Sequence, residues 1–389
     1  MKKINRMISK LDVPLLVCSV ILFIFGLLNI VNASSQAVVL RYGTNIYYYF
    51  YRQLGILFVG FIMSLIIIGQ PTKKYHKWAF VLYFIETILL VAVLFEPAYL
   101  GSKNWLHVGP ISFQPSEFAK PILIIMTAIL FEKFCAKLRN NKKYDRVDHF
   151  KLIGIIIFAG AIFLGLILLE KDLGTLIITF TIFAVMFIAS PIQSEEKLQT
   201  IIFVGAIGLF ALFVYFVASH GNILTEEQKS RLDFKNPCES YEEGGYQICN
   251  GFIAINSGGL FGVGIGNSKQ VSYLPESHTD SVFAIIAEEY GLIFCTSIFI
   301  LYLVVLYRIL FLASVVKDIR NKYICLGIGI YIMLHIIINL GGLFGVMPLT
   351  GVPLPFLSYG GTFTLSLIAC LSIVQRIAYE RNTEKIKVK

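Results

Sequence analysis

Apolar residues are gathered along the chain into long runs that are separated by short polar segments. The runs are about 17–25 residues long, which is the length that an α-helix needs to cross a bilayer core of about 30 Å. None of them alternates between apolar and polar positions as a membrane β-strand does. We therefore predict an all-α, polytopic integral membrane protein with about ten transmembrane helices. The predicted spans are residues 14–33, 50–69, 78–97, 116–134, 152–169, 174–190, 200–218, 281–306, 323–340 and 359–378.

Composition and charge support this class and set the orientation. Of the 389 residues, 57% are hydrophobic and 15% are charged, whereas a soluble domain averages about 25% charged residues. The net charge is +9, and residues 133–151 alone contain seven of the 33 lysines and arginines. By the positive-inside rule, this asymmetry predicts that both termini are cytoplasmic, including the basic tail 379–389. The positive charge is then a topology signal that also attracts anionic lipid, and it implies no nucleic-acid partner.

In this orientation, four polar segments face the outside. Residues 219–280 form the large extracytoplasmic loop, the only one long enough for structure of its own, within a single membrane domain that comprises residues 1–389. Residues 341–359 are rich in glycine and proline. Irregular backbone at membrane depth persists only against protein or a water-filled cavity. We therefore expect this segment to fold back into the outer mouth of the protein.

Two of the seven cysteines, Cys238 and Cys249, lie in the large loop. An extracytoplasmic compartment permits disulfides, and no second cysteine pair lies nearby to indicate a zinc site. A bridge would close a short loop and contribute about 3 kcal/mol in the chain-entropy model. The sequence leaves open whether the bridge forms, because it does not show how far apart the two residues lie.

Asp280 ends the large loop and directly precedes a run of apolar residues. A carboxylate at a membrane edge is costly unless it has a partner, and such residues serve ligands or proton transfer more often than packing. We therefore predict a functional role for Asp280.

Other charged residues lie near the outer ends of predicted spans. Glu117 follows Pro115 and can cap the helix that begins there. Alternatively, Glu117 and Lys120 share one helical face and can together hold a divalent ion or a phosphate group. Arg52 can extend its side chain to the interface as a lone cation, or it can bind a pyrophosphate through its fork of donors.

Two further polar groups receive structural interpretations. Residues 170–172 join the fifth and sixth predicted spans, and we interpret them as a solvated tight turn. His335 and Asn339 are one helical turn apart in the ninth span, and we interpret them as polar packing between helices.

Five separated strings carry a resemblance to a known family. They are GSKNW (101–105), QPSEFAK (114–120), DLGT (172–175), PESHTD (275–280) and PLPFLSYGG (353–361). Together they resemble the signatures of the SEDS family (shape, elongation, division and sporulation), which includes RodA, FtsW and SpoVE. The matches occur in order over most of the chain, and chance agreement does not produce five such strings.

The resemblance implies a peptidoglycan glycosyltransferase that works on the outer face of the bacterial cytoplasmic membrane. Its substrate would be lipid II, a disaccharide-pentapeptide on undecaprenyl pyrophosphate, which it would polymerise by inverting transfer in division, elongation or sporulation. Its partners would be a class B penicillin-binding protein, which crosslinks the strands, and other proteins of the divisome or elongasome.

The resemblance also implies roles for individual residues. Asp280 matches the family's essential aspartate, and from the chemistry we expect it to act as a general base, as a metal ligand or as both. A divalent cation, Mg²⁺ or Mn²⁺, would be held near Glu117 and Asp280. The residues expected to bind the substrate are Arg52, Trp105, Glu117, Lys120 and His278.

The chain departs from the family pattern at a few positions. Ser281 stands where phenylalanine is usual, glutamate and lysine at 170–171 replace a Gln-Pro pair, and Phe363 replaces a small residue. None of these changes removes a proposed catalytic group. The strings at 245–247 and 266–270 favour a division-type or sporulation-type member over an elongation-type member.

A flippase that moves lipid II across the bilayer is the alternative function. A transporter is expected to place charged groups through the membrane depth and often contains internal repeats. Here the candidate groups cluster at the predicted outer mouth, and the two halves of the chain show no clear repeat. This pattern favours the polymerase.

Overall fold

The computed structural model describes residues 10–42, 45–98, 101–109, 111–140, 146–218, 237–239 and 245–388. Within these ranges the chain forms eleven α-helices and a two-stranded antiparallel ribbon of β1 (Leu106–Val108) and β2 (Ile111–Phe113). The helices are α1 (Val13–Tyr42), α2 (Tyr48–Gly69), α3 (Tyr75–Val93), α4 (Pro115–Asn140), α5 (Arg146–Leu169), α6 (Leu173–Ile188), α7 (Ser194–Ala218), α8 (Tyr246–Gly258), α9 (Val282–Val315), α10 (Ile319–Leu343) and α11 (Thr362–Val388).

The all-α membrane class is confirmed, and each predicted span overlaps a helix. In the described part of the chain, seven helical segments are long and apolar enough to cross a membrane. The predicted spans 116–134, 174–190 and 200–218 fall on α4, α6 and α7, which are not among these seven. Helix α4 is not among the seven because it has charged residues near both ends, and α6 is not because it has only 16 residues. The total of ten spans stays a prediction. The seven segments are Val13–Ser35, Tyr48–Gly69, Thr72–Val93, His149–Leu169, Val282–Val315, Ile319–Leu343 and Thr362–Glu384.

Helices α10 and α11 lie at the centre of the bundle. In their most apolar stretches, 72% and 78% of the residues are buried, against 11% for α2. A helix that is apolar all round and buried all round belongs to the interior of a bundle, whereas a helix with an apolar exposed face lies against lipid. The central position of α10 allows its side chains to reach loops from several other helices.

The segment 345–361 between α10 and α11 leaves the helical conformation but remains inside the protein. Its carbonyl groups have partners on neighbouring helices: the Tyr302 hydroxyl donates to Pro355 and the Asn339 side chain donates to Val352. On another side α1 packs so closely at Gly26 that a Cβ there would overlap the backbone of this segment. The segment therefore folds back among the helices, where its polar backbone groups are satisfied by protein.

Helix α9 is interrupted at Gly291, a break within the predicted span 281–306. Gly291 has φ 78° and ψ 175°, a conformation essentially restricted to glycine. The turn after α8 fills the gap: the Val263 amide donates to the Glu288 carbonyl, and the Leu292 amide donates to the Gly259 carbonyl, both at 2.9 Å. The backbone groups freed by the break are thus satisfied by another segment, which joins α8 to α9.

The junction between α5 and α6 is only partly the solvated turn that the sequence suggested. Glu170 is fully buried, and its carbonyl accepts a hydrogen bond from the Lys103 amide at 2.8 Å. The next residue, Lys171, adopts a left-handed conformation with φ 60°. The Lys171 side chain is exposed, so the junction is solvated at Lys171 and packed inside the protein at Glu170.

Asp172 links three separate parts of the chain. Its carboxylate caps α6 by accepting from the Thr175 amide at 3.0 Å, as side chains at this position commonly do. The same carboxylate accepts from Asn104 at 2.7 Å and from Gln114 at 3.2 Å. The loop before β1 and the start of α4 are therefore held against the start of α6.

We expect Gly291→Ala to destabilise the protein strongly. A Cβ at this position would lie within 3 Å of the backbone of Gly262 and Leu260, and the left-handed φ disfavours any other residue. The free energy of unfolding should fall by more than about 2 kcal/mol. A lower melting temperature of detergent-purified protein would show this loss. Gly165→Ala in α5 is the matched control, because nothing lies within 4 Å of its Cβ position. Equal melting temperatures for the two variants would contradict the role of the break.

We expect Glu170→Gln to remove a pH-dependent loss of stability. Burial, with the negative charges of Asp172 and Glu86, raises the pKa of Glu170 to about 9. Because this pKa is above its unfolded value, the stabilisation by the protonated form is complete below about pH 4.5 and is lost as pH rises towards about 9. Glutamine does not ionise, so the variant should gain on the order of 1–3 kcal/mol relative to the wild type across this range. The prediction would be refuted if the melting temperature changed equally between about pH 6 and pH 9 in the wild type and in Glu170→Gln.

Candidate functional site

Asp280 lies in a short turn directly before α9, and its backbone is fixed by the segment 345–361 and by α10. Three consecutive carbonyls, those of residues 278–280, each accept one hydrogen bond. The donors are the Tyr359 amide at 2.8 Å, the Ser358 hydroxyl and the Asn339 side-chain amide at 2.8 Å. Because these donors come from two different elements, the turn cannot shift without breaking contacts to both.

Asp280 is 9% exposed, and its carboxylate has few compensating partners. Its Oδ1 accepts from the Gln247 side chain at 3.2 Å and, more weakly, from the Thr279 hydroxyl at 3.5 Å. Its Oδ2 lies beside Gly351, 3.9 Å from where a Cβ would be. Burial is the main cause that raises the pKa of Asp280 to about 6, and the charge of Glu276 adds to it. The group is therefore a stronger base than an ordinary aspartate and still ionises near neutral pH.

Glu117 and Lys120 form a buried ion pair in the first turns of α4. The Lys120 Nζ lies 2.7 Å from a Glu117 oxygen, and both side chains are almost completely buried. The same ammonium contacts Nε2 of His335 at 3.2 Å. Since an ammonium only donates, Nε2 accepts, which places the ring proton on Nδ1, 3.4 Å from the Pro353 carbonyl. Glu117 thus lies in the first turn of α4 and pairs with Lys120, while the binding of a divalent ion or a phosphate group by these two residues stays a prediction.

Helix α10 connects this ion pair to Asp280. His335 contacts Lys120, and Asn339, one turn further along α10, donates to the carbonyl of Asp280. The two contacts are therefore separated by about 6 Å along the helix axis. The sequence interpretation of His335 and Asn339 as polar packing missed this link, because the spacing alone does not show what either side chain contacts.

His278 lies in an aromatic cluster rather than at the surface. Its side chain is 3% exposed, and its ring centroid is 4.4 Å from that of Tyr49 and 5.6 Å from that of Tyr359. These contacts hold the turn that carries Asp280 against α2. A direct contact between His278 and a substrate stays a prediction.

Trp105 and Arg52 are placed at the edge of this region. Trp105 is half-buried and lies between Asn104, which is bound to Asp172, and strand β1. Arg52 is exposed, and its guanidinium donates to the hydroxyl of Tyr48 on its own helix at 3.1 Å. Its neighbour Gln53 faces inward instead and accepts from the Gly360 amide at 3.3 Å. Binding of a substrate by Trp105 or Arg52 stays a prediction.

Cys238 and Cys249 are joined by a disulfide, with their Cα atoms 5.0 Å apart. Cys249 lies in α8, two residues after Gln247. The bridge therefore ties a segment of the large loop to the same helix that contacts Asp280. The sequence left this pairing open, because the separation of the two residues depends on the fold.

The described residues contain no group of three or more His, Cys, Asp or Glu side chains that would hold a metal ion. Glu117 is paired with Lys120, while Asp280 is bound by Gln247, so the two expected ligands have different partners. A divalent cation at either carboxylate would therefore need further oxygen ligands from a bound phosphate group. Mg²⁺ commonly takes such a mixed set of carboxylate, phosphate and water ligands.

The chain is similar over nearly its whole length to proteins of one family. A family model described as "Cell cycle protein", which joins FtsW, RodA and SpoVE, matches residues 13–383. The stage V sporulation protein E of Bacillus subtilis is 33% identical over 376 residues, covering 95% of this chain and 98% of that protein. The probable peptidoglycan glycosyltransferase FtsW of the same organism is 31% identical over 397 residues, covering 98% of this chain and 95% of that protein.

Solved structures share the fold. The rod shape determining protein RodA of Thermus thermophilus matches with a TM-score of 0.66 at 24% identity, over 95% of this chain and 97% of that one. A chain from a solved structure described as "Structural coordination of polymerization and crosslinking by a peptidoglycan synthase complex" matches with a TM-score of 0.71 at 24% identity, over 95% of this chain and 98% of that one. With the apolar helices described above, these similarities show that the chain is a multi-pass protein of the cytoplasmic membrane and belongs to the SEDS family of FtsW, RodA and SpoVE.

Proposed function

We propose that this protein is a peptidoglycan glycosyltransferase that polymerises lipid II into glycan strands on the outer face of the cytoplasmic membrane. The observation that carries the proposal is the environment of Asp280, a carboxylate that is buried at a helix end, fixed by its backbone and only partly compensated. The names of the FtsW relatives support the same reaction. A division or sporulation role agrees with the relatives named FtsW and SpoVE.

In the proposed reaction, Asp280 acts as the general base. Its carboxylate accepts the proton of the acceptor hydroxyl as that oxygen attacks the anomeric carbon of the second lipid-linked sugar. A new glycosidic C–O bond forms while the bond from the anomeric carbon to the pyrophosphate breaks, so undecaprenyl pyrophosphate leaves and the anomeric configuration inverts. A base with a pKa of about 6 combines an ionised ground state near neutral pH with useful proton affinity.

Lys120 and Arg52 are proposed to neutralise the departing pyrophosphate. An ammonium has three N–H donors, of which Glu117 and His335 engage two on Lys120. Preorganised positive charge in a site that excludes water stabilises a developing anion more than it does in bulk water. Arg52, exposed at the start of α2, would offer its planar fork to a phosphate at the membrane edge.

A divalent cation, Mg²⁺ or Mn²⁺, remains part of the proposal as a companion of the pyrophosphate. Glu117 or Asp280 would supply one carboxylate, and the phosphate oxygens and water would complete its coordination. When bound, such an ion would add positive charge beside the leaving group.

A class B penicillin-binding protein is the proposed partner. One structural neighbour belongs to a peptidoglycan synthase complex that coordinates polymerisation and crosslinking. New strands must be crosslinked to become wall material, so we propose that this chain likewise acts beside a crosslinking transpeptidase and with other proteins of the divisome or elongasome.

We expect Asp280→Asn to abolish most polymerisation while preserving the fold. An amide of the same shape cannot take the proton, so the rate should fall by about 10²–10⁴, the usual contribution of a general base. The measurement is a gel assay of glycan strands that purified protein makes from fluorescent lipid II. The melting temperature should not fall, because the variant removes a buried charge. Wild-type rates in the variant would contradict the role of Asp280, and the absence of strands from the wild type with its partner would favour a flippase.

We expect the rate of the wild-type enzyme to rise with pH through about 6. Asp280 is active only when deprotonated, and its pKa is raised to about 6. The raised pKa makes the folded state less stable as pH rises towards 6, so a rate increase in this range does not come from stability. The check is kcat/KM between about pH 5 and pH 8, which reports ionisation in the free enzyme. A flat profile would show that the base has an ordinary aspartate pKa of about 3.9.

A further inference from the structure

One amide group of Gln247 contacts three points of the turn that carries Asp280. Its Nε2 lies 3.2 Å from Asp280 Oδ1, 2.8 Å from the Ser281 hydroxyl and 3.4 Å from the Pro275 carbonyl. Hydrogen bonds to a carboxylate are stronger than those between neutral groups. Gln247 therefore contacts the turn at both its ends and restrains the carboxylate between them.

Helix α8 carries Gln247 in its first turn. Its C-terminal end is held firmly against α9. The Ser257 hydroxyl donates to the Glu288 carboxylate at 3.2 Å. At Gly258, α8 approaches the α9 backbone so closely that a Cβ would overlap the carbonyl of Ala287. This end of α8 is thus fixed by packing and hydrogen bonds that do not involve the disulfide.

The N-terminal end of α8 is held differently. The helix begins after Gly245, which makes no side-chain capping hydrogen bond. Gly245 lies against the backbone of Pro237, and the disulfide joins the adjacent Cys238 to Cys249. Gln247 lies between these two attachments, so the first turn of α8 is held in place through the segment 237–239.

A reductant in solution can reach this bridge. Cys238 is exposed, whereas Cys249 is buried. The five other cysteines form no disulfide in the described structure: Cys18, Cys135, Cys295, Cys325 and Cys370. A dithiol reductant therefore has one disulfide to act on in this protein.

We propose that Gln247 is a positioning residue that aims the carboxylate of Asp280 at the acceptor hydroxyl, and that the Cys238–Cys249 disulfide keeps Gln247 in place, so that glycan polymerisation depends on the redox state of this pair. Reduction transfers two electrons and two protons from dithiothreitol, breaks the S–S bond into two thiols and leaves the reductant as a cyclic disulfide. The released turn of α8 then moves away from Asp280 while the end near Ser257 stays anchored. The inference rests on the proposed function, because the readout is polymerisation of lipid II.

The test combines Gln247→Met with reduction of the wild-type protein. Methionine keeps the length and burial of the side chain but removes both donors. Because Gln247 acts through Asp280, kcat should fall about tenfold to a hundredfold while KM changes less than about twofold. Gln70→Met at the opposite end of the bundle, where Gln70 accepts from Lys74, is the control and should keep wild-type values.

Reduction of the wild-type protein tests the role of the disulfide without a substitution at Gln247. Dithiothreitol should slow the wild-type enzyme by a similar factor in kcat, with KM again nearly unchanged, and Cys238→Ser should behave as the reduced wild type and ignore the reductant. If the bridge acts through Gln247, reduction should not slow Gln247→Met further, since two changes on one path are not additive.

The outcomes separate this inference from the proposed function. A wild-type protein that forms no strands from lipid II with its partner would refute the function itself. Strand formation with wild-type kcat in Gln247→Met would refute only the positioning role. Unchanged activity of the reduced wild type, or an equal loss on reduction in wild type and Gln247→Met, would refute the link through the disulfide.

Discussion

The structure depends on one constraint, which is that polar backbone groups at membrane depth need partners within the protein. Where the chain leaves the helical conformation, its free backbone groups form hydrogen bonds with another segment of the protein. The carbonyls of residues 278–280 take their donors from the segment 345–361 and from α10. The break at Gly291 is filled in the same way by the turn after α8. The fixed position of Asp280 is therefore a consequence of satisfying the hydrogen bonds of the backbone.

The buried charged groups differ in how many hydrogen bonds and opposite charges stabilise them. This difference distinguishes residues that hold the structure from residues suited to proton transfer. Glu288 accepts from two hydroxyl groups and two backbone amides, so it orders the loop before Asp280. Glu117 and Lys120 form a buried ion pair in which Glu117 and His335 engage two of the three donors of Lys120. Asp280 has one firm side-chain donor, and its pKa is raised. A poorly compensated carboxylate in a fixed position is suited to accept a proton, whereas a fully bonded one is suited to hold a loop.

Sequence reasoning identified the helices and the acid but missed the residues that surround it. The apolar runs predicted helix positions well because a membrane helix must present an apolar surface along its whole length. The burial of Glu170 was missed, because short charged stretches between spans are usually solvated. Gln247, His335 and Asn339 were not chosen as site residues, since their importance comes from contacts with residues 13 to 215 positions away. A single sequence shows no such contacts.

The sequence by itself determined the membrane class, the approximate span positions and the motifs that place the chain in the SEDS family, because each of these is written in local composition or in short contiguous strings. The tertiary structure alone decided that α9 breaks at Gly291, that Cys238 pairs with Cys249, and that Gln247 meets Asp280. These features depend on how separate segments satisfy one another's hydrogen bonds and charges once water is excluded. That matching is a property of the packed molecule, so no local pattern encodes it.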